Sequence, residues 1–163
     1  MIYTVKSLRF QQQQAISWCW AAVTWMVNDC YSGGGGSILQ CAIASQVTGG
    51  QCCPSPPGDP NDPCNTLRNL ADALNSVGHS AGPMRPQPQR FDLVKNEIIA
   101  QRPICAQVAL PGLNHYVVLS TCADDGSIRV LDPQGWYDTT FDAFTAFNPN
   151  NSRGFCTGWY LTQ

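Results

Sequence analysis

The sequence predicts an α+β domain in which a helical N-terminal half packs on a C-terminal antiparallel sheet. Helical periodicity dominates up to about residue 102, and short strand-like apolar runs follow from Ile104 onward. The pair Asp125-Gly126 lies between two of these runs and is a strong hairpin signal, which favours antiparallel pairing. The 163 residues suit one domain, so we expect a helical lobe over about 15–102, a β lobe over about 103–163 and a cleft at their junction.

The helical half contains four segments whose apolar spacing fits helices. Residues 18–31 are apolar on nearly every side, which is typical of a helix buried in the core, and Gly33–Gly36 end it. Three shorter helices are expected over Ser37–Val47 with Ser37 as N-cap, over Thr66–Val77, and from the cap Asp92 to about Gln101. Residues 1–14 are polar and rich in glutamine, and we expect them to form a strand or an arm that leads to Cys19.

A loop rich in proline and cysteine, Gln51–Asn65, interrupts the helical half. Its five prolines exclude a helix or a central strand, so cross-links are expected to keep it ordered. The chain has nine cysteines, and eight remain once a nucleophile is set aside, which fits up to four disulfides or a mixture of bridges and buried thiols. We expect at least two bridges that involve Cys41, Cys52, Cys53 and Cys64, and we expect the two adjacent cysteines to take separate partners. Zinc is a third option for these four, although the chain has no Cys-x-x-Cys pair and only two histidines.

The second half contains four strand-like runs separated by turn residues. These runs cover residues 104–110, 115–122, 127–132 and 158–162. One segment, Phe141–Phe147, interrupts them and is expected to form a short helix begun by Asp142.

The composition excludes two classes of partner and favours export. Charged residues make up 12% of the chain, the net charge is −2, and the nine basic residues are scattered singly, so we expect no nucleic-acid partner. No apolar run approaches the roughly 20 residues that span a bilayer, so we expect no membrane segment. Met1–Lys6 lacks the apolar region of a signal peptide, whereas the cysteines favour an oxidising compartment. We therefore expect either export by another route or a leader that has been removed.

Three residues in distant parts of the chain form a pattern typical of cysteine hydrolases. Cys19 follows the glutamine run Gln11–Gln14 and opens the apolar helix, where free N–H groups and the helix dipole favour a thiolate anion. His115 lies in a strand-like run and Asp132 ends another. Taken singly, each has a simpler interpretation: a buried thiol, a core histidine and a turn residue before proline. The joint pattern favours a Cys-His-Asp triad.

The residue types match the steps of acyl transfer. We expect His115 to take the thiol proton and later to protonate the leaving amine, and Asp132 to accept the other ring N–H and fix the tautomer. The tetrahedral intermediate needs donors for its oxyanion, and we assign them to the Cys19 backbone N–H and the side-chain amide of Gln13. The run of four glutamines leaves this last choice open by one position. This chemistry requires no cofactor and no metal ion.

The same residues resemble the papain-like cysteine peptidases. Gln13 precedes a Cys-Trp-Ala sequence at Cys19 by six positions, and an Asn-His pair at His115 is followed about seventeen residues later by Asp132. The chain is most similar to the small bacterial branch that contains bacteriocin-processing peptidases and secreted effector proteases of plant pathogens. Motifs of that branch recur here as Trp18–Ala22, Gln40–Ala44, Cys52-Cys53 with Cys64-Asn65, and His115–Pro133. The resemblance implies a papain-like fold and the catalytic roles given above.

Two features depart from the larger papains. Their Cys-Gly-Ser lead is replaced here by Ile16-Ser17-Trp18, and the nucleophile precedes the histidine by 96 residues, fewer than their 130–150. The chain is therefore a trimmed variant of the family it resembles.

The resemblance implies a cysteine protease that acts on a protein or peptide substrate. Because an exported protease without an obvious propeptide would endanger its producer, we expect a toxin or effector that is secreted or delivered into a target cell, and a cognate inhibitor or immunity protein as partner. We expect a monomer. Two other functions stay open: a transglutaminase or deamidase, which uses the same acyl-thioester chemistry on a glutamine side chain, and a non-catalytic papain-fold binding protein.

Overall fold

A computed structural model describes residues 1–35, 38–54, 58–87 and 89–163. Its helices are α1 (Cys19–Tyr31), α2 (Gln40–Thr48), α3 (Leu70–Ser76), α4 (Phe91–Ile99) and α5 (Phe141–Thr145). Its strands are β1 (Ile2–Thr4), β2 (Arg85–Pro86), β3 (Ile104–Leu110), β4 (Leu113–Ala123), β5 (Ser127–Leu131), β6 (Tyr137–Thr140) and β7 (Phe155–Tyr160). Most helices lie in the first half and most strands in the second, so the fold is α+β, as predicted.

The strands form one antiparallel sheet with β4 near its centre. Their order is β2-β7-β3-β4-β5-β6, and β1 pairs with the far end of β4. Asp125 and Gly126 form the predicted turn between β4 and β5: Gly126 has a φ of 85°, which favours glycine, and the Asp125 carboxylate accepts the N–H of Ser127 at 2.9 Å. Val118, in the middle of β4, pairs with Leu131, the last residue of β5, so the middle of β4 lies beside the end of β5.

The two faces of the sheet are covered by different helices. Along β4, Tyr116 and Val118 belong to a core formed with α1, α2 and α3, whereas Val117 and Leu119 belong to a core formed mainly with α4 and α5. Successive residues of a strand point to opposite faces, so these cores lie on opposite sides of the sheet. The predicted helical lobe over about 15–102 therefore divides between the two faces.

The helices begin later than the sequence pattern predicts at two positions. The second helix begins at Gln40, and the expected cap Ser37 lies outside the described residues. The third helix begins at Leu70 instead of Thr66, because the side chain of Asn69 accepts a first-turn N–H and acts as the N-cap.

Two disulfides hold the proline-rich loop, as expected. Cys41 is bonded to Cys53 and Cys52 to Cys64, so the adjacent cysteines take separate partners. A zinc site is excluded at these positions because all four sulfurs are bonded to each other in pairs. The other cysteines are buried free thiols, so the chain has two bridges and not four: Cys19, Cys30, Cys105, Cys122 and Cys156.

Two kinds of feature are absent from the described part of the chain. No helix there is both long and apolar enough to cross a bilayer. No group of three or more His, Cys, Asp or Glu side chains within the same residues is placed to hold a metal ion.

Candidate active site

Cys19 is the first residue of α1. It is 2% exposed, and the residue before it, Trp18, is not helical and offers no side-chain cap. Among the described residues no acceptor bonds the Cys19 backbone N–H, as expected for the first turn of a helix. The thiol therefore lies at a helix N-terminus with a free backbone donor on the same residue.

Strand pairing brings His115 and Asp132 together. His115 lies on β4 and is 3% exposed, and Asp132 directly follows β5, the neighbouring strand. Nε2 of His115 is 2.8 Å from Oδ1 of Asp132. The same oxygen accepts the backbone N–H of Gln134 at 2.8 Å, and this second bond fixes the carboxylate within its turn. Asp132 is thus both a turn residue and the partner of the histidine.

Helix α1, which begins at Cys19, packs against β4, which carries His115, and the thiol is one of the groups that raise the pKa of this imidazole. Since Nε2 is bonded to Asp132, Nδ1 is the ring nitrogen that remains for the thiol. Burial lowers the pKa of His115, but the hydrogen bonds and charges of Asp132 and Cys19 outweigh burial and raise the pKa to about 9 from the ordinary 6.5. The ring therefore favours the imidazolium form at neutral pH.

Gln13 lies in the extended segment that leads to Cys19. Its amide nitrogen donates to the carbonyls of Ala15, at 3.0 Å, and Ile16, at 2.6 Å, and its amide oxygen is buried without a partner among the described residues. Gln12 and Gln14 are exposed, whereas Gln13 is half-buried. Of these three glutamines, Gln13 is the one directed at the turn before the nucleophile.

Cys64, which ends the loop closed by the second disulfide, and the two residues after it are hydrogen-bonded to the residues around Cys19. Three bonds make this connection: Trp18 Nε1 to the Cys64 carbonyl (2.7 Å), Trp20 Nε1 to the Thr66 carbonyl (3.0 Å), and the Ser17 N–H to Asn65 Oδ1 (2.9 Å). The loop therefore borders the start of α1, and the disulfide helps to fix that border.

Two buried polar residues beside the site received no role from the sequence. Gln40 is 1% exposed and Asn65 is 7% exposed, and a buried amide needs partners inside the protein. Asn65 bonds the backbone just before Cys19, and Gln40 bonds the glutamine segment that contains Gln13. The available signal was their place in two of the motifs named above, in which Gln40 opens an apolar helix and Asn65 follows a cysteine.

A comparison with protein families matches residues 3–152 to the family described as papain-like cysteine protease AvrRpt2. The matched region contains all four predicted site residues, Gln13, Cys19, His115 and Asp132, and ends before β7. A comparison with curated proteins finds no match.

Proposed function

The chain belongs to the papain-like cysteine protease family AvrRpt2, and from that premise we propose that it hydrolyses peptide bonds through an acyl-thioester on Cys19. The observation that carries the proposal is the 2.8 Å hydrogen bond between Asp132 and the buried imidazole of His115, which lies on the strand against which the helix that begins at Cys19 packs. A nucleophile, a base and a group that orients the base are the three roles that this chemistry requires.

In the first step, the Cys19 sulfur attacks the carbonyl carbon of the scissile peptide. His115 holds the thiol proton as imidazolium and is oriented by Asp132, with which it shares the 2.8 Å hydrogen bond. Collapse of the tetrahedral intermediate breaks the C–N bond, and the imidazolium gives its proton to the departing amine. The acyl group remains on sulfur as a thioester.

In the second step, water hydrolyses the thioester. His115, now neutral, takes a proton from the attacking water, and the carboxylic acid product leaves as Cys19 returns to its starting state. The carbonyl oxygen becomes an oxyanion in both steps, and the Cys19 backbone N–H and the Gln13 amide are its proposed donors. Both amide hydrogens of Gln13 are directed at carbonyls, so it must exchange one of these bonds for the oxyanion.

The proposed setting is an oxidising compartment or a target cell reached by secretion. The two disulfides support export, because such bonds persist mainly in oxidising environments. We propose a monomer that acts as an effector or toxin on protein substrates and is restrained by a cognate inhibitor in its producer.

Mass spectrometry of a target-cell lysate tests the reaction. Wild-type protein and Cys19→Ala are incubated with the lysate, and peptides with new N-termini are compared. We expect new N-termini with the wild type alone. Release of ammonia without new N-termini would replace peptide hydrolysis by deamidation or transglutamination. If neither new N-termini nor ammonia were found, a binding protein that keeps the fold would be favoured.

A further inference from the structure

We propose that Gln40 is a positioning residue that holds the segment Gln11–Gln14 in the conformation that presents Gln13 to the oxyanion. Gln40 lies at the start of α2 and acts through this segment, not on the substrate. The proposal rests on the proposed function, because it takes Gln13 as the oxyanion donor.

The side chain of Gln40 is buried, and within the described residues it bonds only this segment. Its Oε1 accepts the backbone N–H of Gln14 at 3.1 Å, and its Nε2 donates to the carbonyl of Gln12 at 2.8 Å and to Oε1 of Gln11 at 2.7 Å. These partners precede Gln40 by 26 to 29 residues, so the bonds are tertiary contacts and not helix caps. This side chain is 1% exposed, and its three hydrogen bonds to described residues all go to one stretch of backbone and one neighbouring amide.

These bonds hold the backbone on both sides of Gln13. The Gln12 carbonyl and the Gln14 N–H belong to the two peptide groups that adjoin Gln13, and Gln40 bonds both. The Gln13 N–H donates to the carbonyl of Pro133 at 3.0 Å, within the turn that begins at Asp132. The segment is therefore fixed between α2 and the turn of the proposed triad, and Gln13 can turn its side chain inward while its neighbours stay exposed.

A glutamine suits this position because its three partners need one acceptor and two donors. An amide provides both kinds of group at the end of one side chain. Methionine has nearly the same length and shape but provides no donor and only a weak acceptor, so Gln40→Met removes both donated bonds and weakens the accepted one with little change of volume. Gln46 lies on the same helix and is exposed, so Gln46→Met is the matched control.

The test compares two reactions of Cys19. Acylation by p-nitrophenyl acetate passes through an oxyanion, whereas alkylation by iodoacetamide does not, so the ratio of the two rates measures stabilisation of the oxyanion apart from reactivity of the thiol. Mass spectrometry of the labelled protein restricts both rates to Cys19. A merely structural role for Gln40 would lower both rates together and leave the ratio unchanged.

The two substitutions are also combined in a double-mutant cycle. We expect Gln13→Ala to lower the ratio by roughly 100-fold and Gln40→Met by about tenfold. The double variant should match Gln13→Ala alone, because Gln40 has nothing left to position. The control Gln46→Met should keep the wild-type ratio.

Three results would overturn the proposal in distinguishable ways. A wild-type ratio in Gln40→Met, with a low ratio in Gln13→Ala, would reject the role of Gln40 and leave the proposed function in place. Losses that simply multiply in the double variant would mean that Gln40 acts elsewhere. A wild-type ratio in Gln13→Ala would remove Gln13 as donor, and the role of Gln40 with it.

A second variant covers the case in which Gln40→Met does not fold. Gln11→Ala leaves Gln40 in place and removes the amide oxygen that accepts one of its three hydrogen bonds. Gln11 is half-buried. We expect the ratio to fall several-fold in this variant. An unchanged ratio would also count against the proposal.

Discussion

Replacement of Asp132 by Asn tests whether the carboxylate keeps His115 protonated. The pKa of His115 is raised to about 9 from 6.5 against the opposing effect of burial, and this difference corresponds to about 3 kcal/mol at about 1.4 kcal/mol per pKa unit. Asp132 and Cys19 therefore contribute more than this together. A hydrogen bond to a charged group is worth about 1.5–3 kcal/mol. The loss of the Asp132 charge should therefore move the midpoint of the His115 titration about one to two pH units towards neutrality.

The sign of the pH effect follows from the raised pKa. The imidazolium is present below about pH 9 and is lost above it, so wild-type turnover should decline as the pH rises through 9. In Asp132→Asn the decline should begin at lower pH, and a weak residual activity should remain because the proposed Cys19–His115 ion pair survives with a poorer orienting group. The chain has two histidines, so NMR titration of ring protons can follow His115, with His79→Gln to assign the signals.

The control is Asp138→Asn, which removes an exposed carboxylate paired with Arg129 on the neighbouring strands. This variant should leave the His115 midpoint unchanged. If the midpoint also stays near 9 in Asp132→Asn, the carboxylate does not sustain the imidazolium, and the reasoning from the 2.8 Å hydrogen bond is refuted.

Three further results are expected. Gln13→Ala should lower kcat by roughly 10²–10³ with little change in KM, while Gln12→Ala stays near the wild type; the reverse outcome in steady-state kinetics would move the oxyanion role by one position. Iodoacetamide at pH 6 should label Cys19 before the other free thiols, because burial raises the pKa of a thiol such as Cys156 to about 12, and peptide mapping that finds faster labelling elsewhere would contradict the choice of nucleophile. Cys52→Ser should lower the free energy of unfolding in urea by about 3 kcal/mol, because the bridge closes a loop with a separation of 12 residues, and an unchanged midpoint of unfolding would argue against the bridge.

The sequence predicted the elements whose own residues determine them. The run at residues 18–31 is apolar on nearly every side, so α1 was expected almost residue for residue, with Cys19 at its start. The strand at residues 104–110 was predicted at its observed bounds. The Asp125-Gly126 turn indicated that the two strands on either side of it, β4 and β5, form a hairpin. The two bridges of the proline-rich loop followed from a segment that has too few apolar residues to order itself.

The sequence did not predict features that depend on distant partners. Thr66 was expected to begin a helix, but its carbonyl accepts the indole N–H of Trp20, 46 residues away, and the helix starts later. Strand β2 has two residues and β6 has four, too few for a periodic signal, and both depend on pairing with longer strands. The partners of Gln40 and Asn65 are equally remote, so their burial was not visible in local patterns.

The most direct test of the central claim is the rate of peptide hydrolysis by Cys19→Ala and His115→Ala. The substrate is a synthetic peptide that spans a cleavage site found in the lysate experiment, and circular dichroism confirms that each variant folds. Because the sulfur forms the thioester and the imidazole transfers every proton, both variants should be without measurable turnover. A wild-type rate in either folded variant would contradict the assignment of Cys19 and His115 as nucleophile and base.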